Sequence, residues 1–170
     1  MNEDAADSPR AEPGTYALLL RVPIEERAPE REQTIEVGAL GRMTVRPGPY
    51  VYVGSAFGPG GVRARVRRHA RDDGARHWHV DYLRAVARLE AVWYTHDQTR
   101  RECAWATALR SRPAAEVPLD GVGASDCDCP GHLVTLPTSP SLAQFRERLR
   151  AEHPDHAAIG WIDGDALVDG

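Results

Sequence analysis

Apolar and polar positions alternate in two runs near the start of the chain. Tyr16, Leu18 and Leu20 alternate with Ala17, Leu19 and Arg21 until Pro23 ends the run, which predicts a buried strand. A second run, Tyr50-Val51-Tyr52-Val53-Gly54, follows Pro49 and places both tyrosines and Gly54 on one strand face and the valines on the other. Between the runs, Pro23 to Glu32 reads as a loop, and Thr34 to Val37 and Met43 to Val45 as short strands broken by Gly38 and Gly41. The turn Gly58-Pro59-Gly60-Gly61 delivers the chain into a helix from near Val62 to about Arg71, with Val62, Val66 and Ala70 as its apolar stripe. Arg65 and His69, four apart, share a face along the edge of that stripe.

Further on, His77 to Val86 is more helical than extended, Leu89 to Tyr94 reads as a strand, and a helix runs from Arg100 to about Arg112, where Pro113 stops it. A Gly/Asp/Cys-rich loop covers Gly121 to Pro130, a short strand His132 to Leu136, and a helix Ser141 to Ala151, capped by Ser139 or Ser141. This order predicts an α+β fold, a small mixed or antiparallel central sheet flanked by helices. At 170 residues one domain is the default. The expected division is a disordered lead over 1–12, the principal domain over 13–136, and a C-terminal helix with an acidic tail over 137–170. No apolar run approaches the roughly eighteen residues of a membrane helix, and the chain opens on acid rather than on a secretory signal. A cytoplasmic protein without a membrane partner is expected.

Charge changes this picture locally. The net charge is −4, but residues 1–12 and 161–170 each carry −3, which leaves +2 for 13–160. Six arginines fall between Gly61 and Arg76 against Asp72 and Asp73, so the middle of the chain is basic. A solvated helix face accounts for that on its own; phosphate contact by Arg63, Arg67 and Arg68 is the functional reading. All 21 basic residues are arginine. Lysine chemistry of any kind is therefore excluded, and coding bias is the simplest account of the missing lysine.

Three cysteines, an odd number, speak against a disulfide framework. Cys103, Cys127, Cys129 and His132 amount to three thiols and an imidazole, a complete tetrahedral ligand set for a structural zinc ion. Buried packing of Cys103, with the loop fixed by Asp126, is the alternative. His77, His79 and Asp81 admit a second metal reading, but pairing of His77 with Asp81 or contact of the two histidines with a nucleic-acid backbone suits a helical segment better. Thr99-Arg100-Arg101-Glu102 has the form of a capping box, in which Glu102 turns back to the Thr99 N–H. The spacing of Glu102, Trp105, Ala106 and Leu109 instead puts that carboxylate at the top of an apolar face, where it needs a partner.

Gly14-Thr15-Tyr16, Tyr52-Val53-Gly54, and Arg65 with His69 on the following helix together resemble the GIY-YIG nuclease superfamily. Tyr52 to Ala56, His77 to Leu83 and Asp126 to Leu133 are similar to segments of its Uri-type endonuclease branch, and the likeness spans about residues 14–136. Thr15 departs from the usual Ile; it points away from the tyrosine face, so packing rather than chemistry should change. The resemblance implies a catalytic set in which Tyr16 orients or accepts from the water, Tyr52 hydrogen-bonds the site, Arg65 contacts the phosphate and Glu102 holds one Mg²⁺ or Mn²⁺. His69 shares the base role or binds phosphate. Tyr50, by contrast, is expected to be a core tyrosine with a satisfied hydroxyl.

The expected function is metal-dependent endonucleolytic hydrolysis of DNA, with DNA ahead of RNA as the nucleic-acid partner and a protein partner for targeting left open. The alternative is a nucleic-acid-binding module of the same fold that does not cut, or cuts only with a partner.

Overall fold

The computed structural model describes residues 8–71, 76–124 and 127–168, so Asp72, Asp73 and Asp126 lie outside the described residues. The fold is α+β. Its main sheet has five strands in the order β6-β4-β1-β5-β7, every adjacent pair antiparallel. These are β1 (Gly14–Val22), β4 (Gly48–Ala56), β5 (Arg88–Thr95), β6 (Leu133–Thr135) and β7 (Ile159–Asp163), while β2 (Gln33–Glu36) and β3 (Arg42–Val45) form a separate hairpin. The helices are α1 (Gly61–Ala70), α2 (His79–Arg84), α3 (Glu102–Arg110), α4 (Leu142–Glu152) and α5 (Gly164–Val168). Among the described residues no helix is long and apolar enough to cross a membrane.

The alternation read from the sequence is the alternation of the two cores. Tyr16, Leu18, Leu20, Tyr50 and Tyr52 pack on one face with Val62 and Val66 of α1, Leu83 of α2 and Leu167 of α5. Ala17, Val51, Val53 and Trp93 pack on the other with Trp105 and Leu109 of α3 and Phe145 and Leu149 of α4. The central strand β1 has core on both faces and a strand on either side.

Three expectations change. Residues 8–12 of the expected disordered lead are tied down: the Arg10 carbonyl accepts from Arg63 N–H, and the Glu12 carbonyl from Val62 N–H. They supply acceptors for the first amides of α1, which begins on a glycine N-cap without a side-chain acceptor. The C-terminal stretch is not only a helix and acidic tail, because Ile159–Asp163 forms edge strand β7 on β5 and Gly164–Val168 folds back as α5. Lastly, the capping box does not form. Asp97 accepts from Thr99 N–H and from Arg101 Nε, Arg101 becomes the N-cap of α3, and its N–H is donated to Thr15 Oγ1 at 3.2 Å. Thr15 thus anchors the start of the helix that carries Glu102, and Glu102 is not the cap of Thr99. Ser141 is the cap of α4, accepting from Gln144 N–H.

Candidate functional site

Tyr16 stands opposite Gly54 in the β1–β4 register, and the pairing explains the glycine. A Cβ at Gly54 would lie 2.6 Å from Tyr16 Cζ, so only glycine lets the ring cross β4 at this point. The ring reaches α1, where Tyr16 Oη meets His69 Nε2 at 2.8 Å. Both groups are buried, at 1% and 2% exposure. Burial raises the Tyr16 pKa well above its ordinary value, with the neighbouring Tyr52 adding to it and Arg65 opposing it. Burial also lowers the His69 pKa, which keeps the imidazole neutral. With the Asp81 carboxylate on its Nδ1 side, the neutral imidazole is favoured in the tautomer that carries its proton on Nδ1, and in that tautomer Nε2 accepts from Tyr16 O–H.

Behind His69 stands Asp81, its Oδ1 3.8 Å from His69 Nδ1. Burial pushes the Asp81 carboxyl up, but His69, the backbone N–H groups of Trp78 and His77, and the Arg68 guanidinium together hold it well below the carboxylate range. Asp81 Oδ2 accepts from His77 N–H at 2.8 Å and from Trp78 N–H at 2.9 Å. The expected His77–Asp81 pairing therefore runs through the His77 backbone. Asp81, Trp78 and Gly123 are site residues that sequence reasoning did not single out for this role. The Trp78 ring carries the Arg65 guanidinium 4.6 Å and the Arg68 guanidinium 4.1 Å from its centre, which steers both arginines by cation–π attraction.

Tyr16, Tyr52, Gly54, Arg65 and Glu102 line one cleft of about 200 Å³, together with His77, Trp78, His79, Gly123 and Cys127. Burial pushes Tyr52 up to about 12, with the Glu102 charge contributing. His79 Nδ1 accepts from Gly123 N–H at 3.2 Å, which fixes one wall. Gly123 has φ +72°, and a Cβ there would lie 2.8 Å from the Tyr52 ring, so the loop closes on Tyr52 only with glycine at this position. Arg63 and Arg67 do not line this cleft. They border a second one with Pro9, Ala166 and Leu167, and Arg63 Nε donates to the Pro9 carbonyl. Tyr50 is a satisfied core tyrosine, accepting from Arg46 N–H and donating to the Arg46 carbonyl.

The thiols gather beside the cleft. One ligand atom from each of Cys103, Cys127, Cys129 and His132 lies within 4.8 Å of every other, so this set could hold a metal ion such as zinc. His132 Nε2 is 3.3 Å from Cys127 Sγ and 3.9 Å from Cys103 Sγ. Tetrahedral zinc with ordinary Zn–S and Zn–N bonds separates sulfur from nitrogen by about 3.6 Å, between those two distances. Burial, with the adjacent thiols, pushes Cys103 up to about 12, and burial raises Cys127. A bound cation reverses that order by favouring thiolates.

Fold and cleft together define a small α+β domain whose tyrosines, arginine, histidine and carboxylate converge beside a three-cysteine, one-histidine cluster. The chain belongs to the family described as Domain of unknown function DUF123, whose model matches residues 15–153. That span contains the cleft and the cluster entire. No curated protein and no solved structure matches the chain.

Proposed function

We propose that the protein is a metal-dependent endonuclease that hydrolyses DNA phosphodiester bonds in this cleft, as its resemblance to the Uri branch of the GIY-YIG nucleases implies. The observation that supports it is the convergence of Tyr16, Tyr52, Arg65 and Glu102 on one polar cleft, with His69 bonded behind Tyr16. Phosphodiester hydrolysis needs an oriented nucleophile, neutralisation of charge on the phosphate and a stabilised leaving oxygen. Tyr16, with its proton directed to His69, keeps its oxygen lone pairs for the water. The planar fork of the Arg65 guanidinium can give two hydrogen bonds to a phosphate. Tyr52, protonated at neutral pH, donates. Glu102 fits Mg²⁺ or Mn²⁺, which bind through one or two carboxylates and complete their shells with substrate phosphate oxygens; the ion supplies Lewis-acid stabilisation. The cluster is assigned a structural zinc ion. His77 and His79 border the cleft as contacts to the nucleic-acid backbone, whereas Arg68 does not line it and is held by Asp81 and the Trp78 ring.

The test is conversion of supercoiled plasmid to nicked or linear forms by purified protein in Mg²⁺ or Mn²⁺, against chelator. Arg65→Ala should lower the rate by about 10²- to 10³-fold, the usual cost of removing one preorganised charge-stabilising donor. Salt-sensitive DNA binding with no cleavage under any divalent ion would replace the nuclease with a binding module.

The buried relay sets a pH dependence. His69 must be neutral to accept from Tyr16, so cleavage is lost as pH falls through the lowered His69 pKa. The Asp81 charge raises that pKa, against burial. Asp81→Asn should therefore move the acid limb of kcat/KM to lower pH while reducing the plateau. An acid limb that stays in place or moves up would remove Asp81 from the relay.

A further inference from the structure

The geometry points to His132 as a positioning residue shared by two sites, a ligand in the thiol cluster through Nε2 and the holder of the Glu102 carboxylate through Nδ1. The inference rests on the reading of the cluster as a zinc site and of Glu102 as the cation ligand of the cleft. His132 is fully buried. Its Nε2 faces Cys127 and Cys103 at the spacings given above, while its Nδ1 is a buried atom without a hydrogen-bond partner. Glu102 Oε2 is 3.8 Å from that Nδ1.

A neutral imidazole has one N–H and one lone pair. Once Nε2 gives its lone pair to a cation, the proton must sit on Nδ1, and a buried N–H demands an acceptor. The Glu102 carboxylate is placed to be that acceptor. Metal-bound histidines almost always make such a second contact, and it orients both partners. The imidazole has little freedom to do otherwise, because its backbone is locked: His132 N–H donates to the Val122 carbonyl at 2.8 Å, and its carbonyl accepts from Val53 N–H at 2.8 Å. Val53 is the neighbour of Tyr52. Cys103, a second ligand, directly follows Glu102 at the start of α3. Filling the cluster thus acts on Glu102 from two sides, through the backbone from Cys103 and through the ring of His132.

Glu102 has two oxygens. Held by His132 on Oε2, the carboxylate keeps one orientation at the cleft that Glu102 lines. Zinc in the cluster therefore raises the affinity of the cleft for Mg²⁺ or Mn²⁺, and by linkage the second ion tightens the first. Loss of such an orienting contact costs about 10- to 100-fold in metal affinity.

The experiment is Mn²⁺ binding to the zinc-loaded full chain without DNA, followed by electron paramagnetic resonance, with zinc content measured on the same samples. Wild type should bind one Mn²⁺ and Glu102→Gln none. His132→Cys keeps a four-ligand zinc set but has no second nitrogen; with one zinc retained it should bind Mn²⁺ about 10-fold or more weakly. Unchanged Mn²⁺ affinity in that variant overturns the positioning role. A zinc-loaded wild type that binds no Mn²⁺ overturns the cleft reading beneath it. Should His132→Cys fail to hold zinc, ¹⁵N NMR of the wild-type histidines decides: zinc bound at Nε2 with an Nδ1–H resonance that moves in Glu102→Gln supports the proposal. Zinc at Nδ1, or an Nδ1–H indifferent to Glu102→Gln, overturns it.

Discussion

Glu102→Gln should abolish Mg²⁺-dependent plasmid cleavage, lowering the rate by about 10³-fold or more, equivalent to about 4 kcal/mol of transition-state stabilisation. The substitution keeps the shape of the side chain and its capacity to accept from His132. It removes the charge that makes the group a cation ligand. The fold should survive, since Glu102 is the first residue of α3 and the helix is anchored through Thr15 and Asp97 instead. The expected loss of stability is the favourable effect of one carboxylate at a helix N-terminus, about 0.3–1 kcal/mol. Single-turnover cleavage together with thermal unfolding separates the two effects. Cleavage within about tenfold of wild type, at unchanged stability, would mean that the cation is not held by this carboxylate.

Removal of metal from the thiol cluster is the second large effect. The protein purified without added zinc should carry about one zinc ion per chain, and a strong chelator or Cys127→Ser should lower its stability by about 3 kcal/mol or more. For a chain of this size that corresponds to a Tm lower by about 6–12 °C. The loss is smaller than the whole binding energy of a structural zinc because both faces of the sheet have cores that do not pass through the cluster. It should be local. The loop from 121 to 131 keeps the Arg110 bond to the Gly131 carbonyl and the Gly121 bond to the Pro130 carbonyl, but the wall it gives the cleft through Gly123 and Cys127 loosens. Calorimetry with elemental analysis tests this; metal-free protein with a chelator-insensitive Tm would exclude zinc from the cluster.

What could be read in advance followed from period and spacing. In each of the two runs the tyrosines fall on one strand face and the alternate residues on the other because strand periodicity is two, and Arg65 with His69 fell on one side of α1 because helix neighbours are four apart. The cysteine cluster was legible from its ligand count. What escaped depended on residues distant in sequence. Glu102 reads locally as a cap, whereas in the structure Asp97 takes the Thr99 N–H and the Arg101 side chain, and Thr15, 87 positions before Glu102, takes the Arg101 N–H. Asp81 reads as a partner for His77, since nothing in the sequence places it behind His69. Strand β7 escaped because three aspartates among the last ten residues give the segment the look of a tail, while its pairing partner β5 lies far upstream. Arg63, Arg67 and Arg68 show the limit of a charge count. The arginines are close in sequence, yet Arg68 reaches Trp78 and Asp81 whereas Arg63 turns to the Pro9 carbonyl.

Thr15 and Tyr16 are consecutive residues of the central strand and so project to opposite faces of the sheet. One fixes the amide of Arg101 at the root of the carboxylate-bearing helix; the other engages the imidazole of α1. A slip of β1 by one residue would set Thr15 before His69 with Gly14 before Arg101 or, in the other direction, Ala17 before His69 with Tyr16 before Arg101, so that neither bond survives either slip. Both halves of the cleft are therefore timed by a single strand alignment. The length of the Pro23–Glu32 loop can vary without consequence for that timing, whereas one inserted residue between Gly14 and Leu18 would dismantle both halves together.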